Sequence, residues 1–165
     1  MTYLLASVGA TAAAIVELSL GPYLGVGGVH PHPVLVFGVI WTIALGVDSG
    51  LVWAFVGGIA LDSLAARPLG ASAFALLVAI AGAGLIARSF IRVRPLAPIV
   101  ATPILSVTYS LLLFVLLAAI RPMIADDPIA AFMPGAVYDA VLALLFGPLL
   151  ISIRDRRMAE ERVDW

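Results

Sequence analysis

Three carboxylates lie within long apolar stretches of this chain: Glu17, Asp62 and Asp139. A carboxylate among apolar residues is costly unless a hydrogen-bond donor, a cation or water compensates its charge. Such a group can bind a ligand, carry a proton or hold two helices together. The three carboxylates are therefore the first candidates for a functional site.

The segment His30-Pro31-His32-Pro33 raises the question of a metal site. Two histidines two positions apart in a proline-rich segment point in different directions, and no third ligand accompanies them. We therefore predict no metal. The sequence also has no cysteine, no glycine-rich phosphate loop, no Ser-His-Asp or Cys-His set and no HExxH motif. These observations favour a protein that is not an enzyme and uses no cofactor.

The composition indicates an all-α integral membrane protein. Hydrophobic residues make up 63% of the chain, charged residues 12%, and the mean hydropathy is +1.16. In lipid the backbone must satisfy its own hydrogen bonds, which leaves helices or a closed barrel, and continuous apolar runs favour helices. The length fits one domain. A net charge of −1 with no basic stripe argues against nucleic-acid binding.

Six apolar runs predict a compact bundle of about six transmembrane helices, and they cover residues 3–20, 34–47, 51–65, 71–87, 96–120 and 132–153. The first run lacks a positively charged leading region, so we assign it as a helix rather than a signal peptide. We expect Gly21-Pro22 to end this helix. We expect Pro98 or Pro103 to start or kink the fifth one.

The second and third runs are short, with a predicted turn at Asp48-Ser49-Gly50 between them. A helix of about 14 residues is about 21 Å long, whereas the hydrocarbon core is about 30 Å thick. These runs therefore fit either thin spans or a re-entrant hairpin. A single helix over residues 34–65 would place Asp48 at its middle and is not favoured.

Arginine positions orient the predicted bundle, because positive charges prefer the cytoplasmic side of a membrane. Six crossings then place both termini in the cytoplasm and leave Arg67 and Arg121 on the outer side. We expect residues 1–153 to form a single transmembrane domain and residues 154–165 to form a short charged cytoplasmic tail. The arginines predicted to be cytoplasmic are Arg88, Arg92, Arg94, Arg154, Arg156, Arg157 and Arg162.

This topology places the three carboxylates in the outer half of the membrane. Glu17 lies near the outer end of helix 1 and fits an interfacial carboxylate as well as a functional one. Asp139 lies about two turns into helix 6, where it could pair with Tyr138 at the interface or form a hydrogen bond between helices. Asp62 opposes the dipole at the end of helix 3, so we expect a compensating contact with Arg67 or a neighbouring helix.

Small residues recur at every fourth position along helix 3, ahead of Asp62. Such a row lets a neighbouring backbone approach closely. We favour packing within the chain over a docking site for a partner. The row consists of Gly46, Gly50, Ala54 and Gly58.

Residues 57–73, GGIALDSLAARPLGASA, resemble the signature of the MreD family of rod-shape-determining proteins. In that signature a glycine-rich helix runs into a Leu-Asp pair, here ending at Asp62, and then a Pro-Leu-Gly turn, here ending at Gly70. Residues 33–36 with Trp41 and Gly50 also resemble the second helix of the family and its turn. The turn at residues 47–50 departs from the pattern, because it lacks the basic residue expected on the cytoplasmic side.

The resemblance implies a non-enzymatic subunit of the cell-elongation machinery in the bacterial inner membrane. It implies binding to the single-pass scaffold MreC and an association with MreB and with the peptidoglycan-synthesising RodA and penicillin-binding transpeptidase. It also implies a fold like that of the substrate-binding S-components of energy-coupling-factor vitamin transporters, which is the alternative function. In that alternative Glu17, Asp62 and Asp139 would line a vitamin pocket.

The candidate site residues are Asp62, Arg67, Gly58 and Gly70, at or near the turn that follows helix 3, together with Glu17 and Asp139 on helices 1 and 6. We expect Asp62 to hold the turn formed by Arg67-Pro68-Leu69-Gly70, with Pro68 ending the helix and Gly70 allowing the reversal. Gly58 would let a second helix pack close enough to share the polar contact.

Overall fold

Six α-helices form the part of the chain that the structure describes. The computed structural model describes the backbone of residues 1–25, 30–89, 96–120 and 128–160, and the side chains in these ranges except 22, 128–131 and 153–160. The helices are α1 (Thr2–Leu24), α2 (Pro33–Leu45), α3 (Val47–Leu64), α4 (Ala71–Ser89), α5 (Ala97–Ile120) and α6 (Pro128–Glu160).

Five of these helices are long and apolar enough to cross a membrane, namely α1, α3, α4, α5 and α6. The prediction of an all-α membrane bundle is therefore confirmed. Helix α2 has 13 residues, a length of about 20 Å. Because ten of these residues are buried, α2 lies among the other helices instead of facing lipid over its whole surface.

The turn between α2 and α3 falls at Gly46, so the predicted turn at Asp48-Ser49-Gly50 is wrong. Gly46 has a φ of 105°, which a residue with a side chain rarely adopts. It separates two helices and excludes the continuous helix over residues 34–65. Ser49 Oγ donates to the Gly46 carbonyl at 3.2 Å, and Asp48 lies in the first turn of α3, where a carboxylate favours the helix dipole.

Of the proline predictions, the start of α5 next to Pro98 is confirmed, and the end of α1 at Gly21-Pro22 is wrong. Helix α1 continues through Gly21 and Pro22 to Leu24, and Pro103 lies inside α5. Neighbouring helices in a membrane bundle support a helix whose hydrogen-bond ladder is interrupted by proline, which explains both results. Helix α6 continues to Glu160, past the predicted end at residue 153. The side chains of Arg92, Arg94, Arg121, Arg154, Arg156, Arg157 and Arg162 lie outside the described residues.

Helix α2 is the centre of the bundle. Helices α1, α3, α4, α5 and α6 pack against one another in the order α1, α3, α4, α5, α6, and each of them also contacts α2. Within the described residues, α1 and α6 do not pack extensively against each other. The five outer helices therefore form an arc around α2 that is open between α1 and α6.

Close packing of α3 on its neighbours depends on the small residues of its row. A Cβ atom added at Gly58 would collide with the backbone of Ala73 in α4, and one added at Gly50 would collide with Thr42 in α2. Gly50 and Gly58 therefore pack within the chain, whereas a Cβ atom added at Gly46 would meet no atom within 4 Å. Trp53 fills the space between α1, α2 and α3, and its Nε1 donates to the Val34 carbonyl at 2.9 Å.

Candidate functional site

Asp62 lies at the end of α3 and is fully buried. Its Oδ2 atom accepts a hydrogen bond from the Gly70 N–H at 2.8 Å, and both carboxylate oxygens lie 3.1 Å from the Ser72 nitrogen. Gly70 and Ser72 flank Ala71, the first residue of α4. The carboxylate of one helix therefore caps the N-terminus of the next, where backbone N–H groups have no acceptor within their own helix.

The turn between α3 and α4 is shaped for this contact. Gly70 has a φ of 98°, a conformation that favours glycine. The Arg67 N–H donates to the Asp62 carbonyl at 2.9 Å. Among the described residues the Arg67 side chain forms no ion pair with Asp62. The charge of Asp62 is therefore compensated by the N–H groups and dipole of α4 rather than by the guanidinium of Arg67.

Glu17 forms a second contact of the same kind. Its side chain is only 7% exposed, and its Oε2 accepts a hydrogen bond from the Val34 N–H at 3.0 Å. Pro33 is the first residue of α2, so Val34 contributes one of the free N–H groups of that helix. Glu17 therefore joins α1 to the N-terminus of α2, and its role as an interfacial carboxylate is excluded by its burial.

Asp139 forms a third such contact and is also fully buried. Its Oδ1 accepts a hydrogen bond from the His32 N–H at 2.7 Å, and its Oδ2 accepts one from the Ser106 hydroxyl at 2.6 Å. The Nδ1 atom of His32 lies 2.9 Å from the same Oδ2. Asp139 therefore joins α6 to α5 and to the residue before α2, and it does not act as an interface pair with Tyr138.

His32 is the one titratable group of this network outside the helices. Burial alone would lower its pKa, but the hydrogen bond and charge of Asp139 and the charge of Glu17 raise the pKa above its ordinary value of 6.5. The His32 ring also makes an edge-on contact with Tyr109 of α5, with ring centres 5.6 Å apart. The raised pKa means that the contact with Asp139 stabilises the protonated His32 ring more than water does.

The predicted site residues fall into two groups. Glu17 and Asp139 meet at the N-terminus of α2. Asp62 and Gly70 meet at the N-terminus of α4, about one turn of α3 beyond the close contact at Gly58. We call the end of the bundle that contains both helix N-termini the capped end.

The sequence did not identify His32 and Ser106 as partners of Asp139. His32 was considered only as a metal ligand. Ser106 lies inside an apolar run, where a serine gives no distinctive signal. The one available signal was the position of His32 directly before Pro33, because proline often follows the capping residue at the start of a helix.

Two cavities between described residues are lined almost entirely by apolar side chains. A cavity of about 460 Å³ lies between α5 and α6, and one of about 300 Å³ lies beside α2. Neither is lined by Glu17, Asp62 or Asp139. Within the described residues, no cluster of three potential metal ligands occurs. Glu17, Asp62 and Asp139 therefore organise helix ends, and they lie outside both of these apolar cavities.

Apolar helices with buried, internally paired charges define the class of this molecule as a multi-pass helical membrane protein. The family model for rod shape-determining protein MreD matches residues 3–154. The chain therefore belongs to the MreD family, and the resemblance found in the middle third extends over almost the whole chain. No curated protein and no solved structure showed a match.

Membership of this family assigns the chain a role in rod-shape determination, as a multi-pass protein of the inner membrane that works in a complex with other proteins. The family is one of structural, shape-determining membrane proteins.

Proposed function

We propose that this protein is a non-enzymatic membrane subunit of the cell-elongation machinery. It binds the transmembrane anchor of an MreC-like scaffold and helps to control peptidoglycan synthesis by RodA and its penicillin-binding transpeptidase, with MreB on the cytoplasmic side. The observation that carries this proposal is the family match over residues 3–154.

The polar contacts support an assembly role over a ligand-binding role. Each of the buried carboxylates Glu17, Asp62 and Asp139 already accepts hydrogen bonds from within the chain. A transporter subunit needs polar groups that converge on a pocket. These carboxylates have their oxygens directed at helix N-termini instead, which leaves the apolar surfaces of the bundle for contact with other proteins.

Co-purification tests the proposal directly. The protein, carrying a tag after Trp165, is extracted in detergent from cells that also produce the MreC-like protein, and the bound proteins are identified. We expect the MreC-like protein to be retained in comparable amounts. Nanomolar binding of a vitamin by the purified protein, with no retention of the MreC-like protein, would replace this function with that of a transporter S-component.

The proposal includes an orientation with both termini and the loop after α4 in the cytoplasm. The chain has no cysteine, so single cysteines report accessibility without a background. A membrane-impermeant thiol reagent added to whole cells should leave Ile91→Cys unlabelled. It should label Leu69→Cys, because Leu69 is 72% exposed in the turn at the capped end. Labelling of Ile91→Cys but not of Leu69→Cys would show that the orientation is the opposite of the proposed one.

A further inference from the structure

In the part of the chain that the structure describes, the arc of helices around α2 is open between α1 and α6, where α2 meets the surroundings. A cavity of about 300 Å³ lies in this opening. We call it the α1–α6 gap. It is lined by Gly9, Phe37, Ile40, Trp41, Ala44, Leu45, Trp53 and Leu150.

The α1–α6 gap is the position in the arc where one further helix would fit. Its walls come from α1, α2 and α6, and its lining is almost entirely apolar. Leu45 and Leu150 at its edge are 41% and 39% exposed. A single transmembrane helix placed there would close the arc and cover the exposed face of α2 through van der Waals packing, which drives helix association in lipid.

The gap continues into a polar pocket at the end of α2, opposite the capped end. This pocket has a volume of about 240 Å³ and shares Leu45 with the gap. Its lining includes Asp48 and Ser49 of α3, Met1 with the terminal amino group, and the first residues of α1. Asp48 is exposed, and among the described residues no cation forms an ion pair with it.

The charge of Asp48 indicates what kind of segment fits this site. In the proposed orientation Asp48 lies on the cytoplasmic side, where membrane proteins concentrate arginine and lysine. The same rule places basic residues at the cytoplasmic flank of a single-pass transmembrane helix. A helix that fills the apolar gap would bring this basic flank next to Asp48, whereas anionic lipid headgroups would be repelled by it.

We propose that the α1–α6 gap is the docking site for the transmembrane helix of a single-pass partner, with the basic cytoplasmic flank of that helix beside Asp48. This inference rests on the proposed function, since it names the surface by which the MreC-like anchor binds. It is independent of the small-residue row of α3, which packs against α2 and α4.

Site-specific cross-linking locates the partner helix. A photoreactive amino acid is placed at Leu45 or Leu150 in the gap, at Val137 or Leu144 in the cavity between α5 and α6, and at Phe74 on the exposed face of α4. The MreC-like protein is co-produced as the probe. We expect the two gap positions to give at least fivefold more cross-linked heterodimer than any of the three control positions.

The outcomes separate the inference from the function on which it rests. Co-purification with cross-links only from the control positions would overturn the docking site and leave the proposed function intact. Cross-links from the gap to a second copy of this chain, or to lipid alone, would also overturn it. Loss of co-purification by the parent protein would overturn both.

Charge reversal tests the part assigned to Asp48. Asp48→Arg should lower the amount of retained MreC-like protein at least fivefold, and Asp48→Asn should lower it less. Ser63→Arg, an exposed position near the capped end, is the matched control and should have no effect. Replacing the basic residue next to the membrane in the partner with glutamate should restore binding to Asp48→Arg. Full retention by Asp48→Arg, or no rescue, would overturn the charge pairing.

Discussion

The two ends of α2 are built in opposite ways. At its beginning, α1 and α6 both reach it through buried carboxylates, Glu17 to the Val34 N–H and Asp139 to the His32 N–H. At its end, α1 and α6 separate, and the exposed Leu45 leads into a polar pocket at Asp48. Helices α1 and α6 therefore both bond to α2 at its beginning, whereas they leave α2 uncovered at its end.

This difference shows how a membrane bundle uses the few charges that it contains. A helix N-terminus within a bundle has N–H groups without acceptors, and a buried carboxylate needs donors. Pairing the two removes both penalties and fixes the position of the helix. The charges at the capped end therefore stabilise the fold, and we propose that a partner binds at the other end of α2, where the described residues include no such cap.

The largest expected effect comes from removing the cap of α4. Asp62→Leu leaves the Gly70 and Ser72 N–H groups without acceptors, and each buried donor left in this way costs about 1–3 kcal/mol. We expect a large loss of folded protein after detergent extraction. Asp62→Asn keeps one acceptor oxygen and should retain the fold while weakening partner retention. Parent-like yield for Asp62→Leu, measured beside the exposed control Ser63→Ala, would contradict the cap.

A smaller effect is expected from filling the close contact between α3 and α4. The Cβ atom of Gly58→Ala would collide with the Ala73 backbone, which cannot move without shifting α4. Overpacking of this kind costs about 1–3 kcal/mol. Gly82→Ala is the control, because its Cβ would meet only the end of the flexible Leu105 side chain. Thermal unfolding in detergent should give a lower unfolding temperature for Gly58→Ala than for Gly82→Ala. Equal unfolding temperatures would contradict the close contact between α3 and α4.

Removing one donor to Asp139 should have a more modest effect. Ser106→Ala deletes the hydroxyl that donates to Oδ2 and keeps the bonds from His32. We expect a loss of about 0.5–1.5 kcal/mol in unfolding free energy. Thr108→Ala is the matched control, since that exposed hydroxyl bonds only to the backbone of its own helix. Equal stabilities of the two variants would remove Ser106 from the network.

The smallest expected effect is a pH dependence at His32. Because Asp139 and Glu17 raise its pKa in the folded state above 6.5, its contribution to stability is fully present below that value and is lost as the pH rises through the folded pKa. Parent protein should therefore gain stability toward acidic pH relative to His32→Asn. His30→Asn should keep the gain toward acidic pH, or increase it, because burial lowers the pKa of His30 and its protonation therefore opposes folding. Parallel profiles for the parent and His32→Asn would exclude the pairing.

Helix positions could be predicted from the sequence because apolar runs have a direct cause in the bilayer. Two predicted helix boundaries were wrong, because the effect of neighbouring residues or helices outweighed a local sequence rule. Pro22 did not end α1, and the α2–α3 turn formed at Gly46 instead of at Asp48-Ser49-Gly50. In the second case the dipole of α3 favours Asp48 inside the first turn, which composition alone does not reveal.

The candidate site could be predicted only as a set of residue types. Burial in an apolar run singles out Glu17, Asp62 and Asp139 without naming their partners. Asp62 bonds to residues 8 and 10 positions away, whereas Asp139 bonds to His32 across 107 positions. The contacts of Asp62 follow from a short turn and can be predicted from the local sequence. The contact of Asp139 with His32 depends on how six helices are arranged, which no local pattern specifies.

Amide hydrogen exchange, resolved by residue with NMR in detergent micelles, tests the central claim that carboxylates from neighbouring helices cap α2 and α4. The Val34 and Ser72 amides should exchange slowly, although they lie in first helical turns. The Asp48 amide in the first turn of α3 should exchange quickly, because no side chain among the described residues caps that helix. Asp62→Ala should speed exchange at Ser72 by about tenfold or more and leave Val34 unchanged. Equally fast exchange at all three amides of the parent protein, or no change at Ser72 in the variant, would contradict the account.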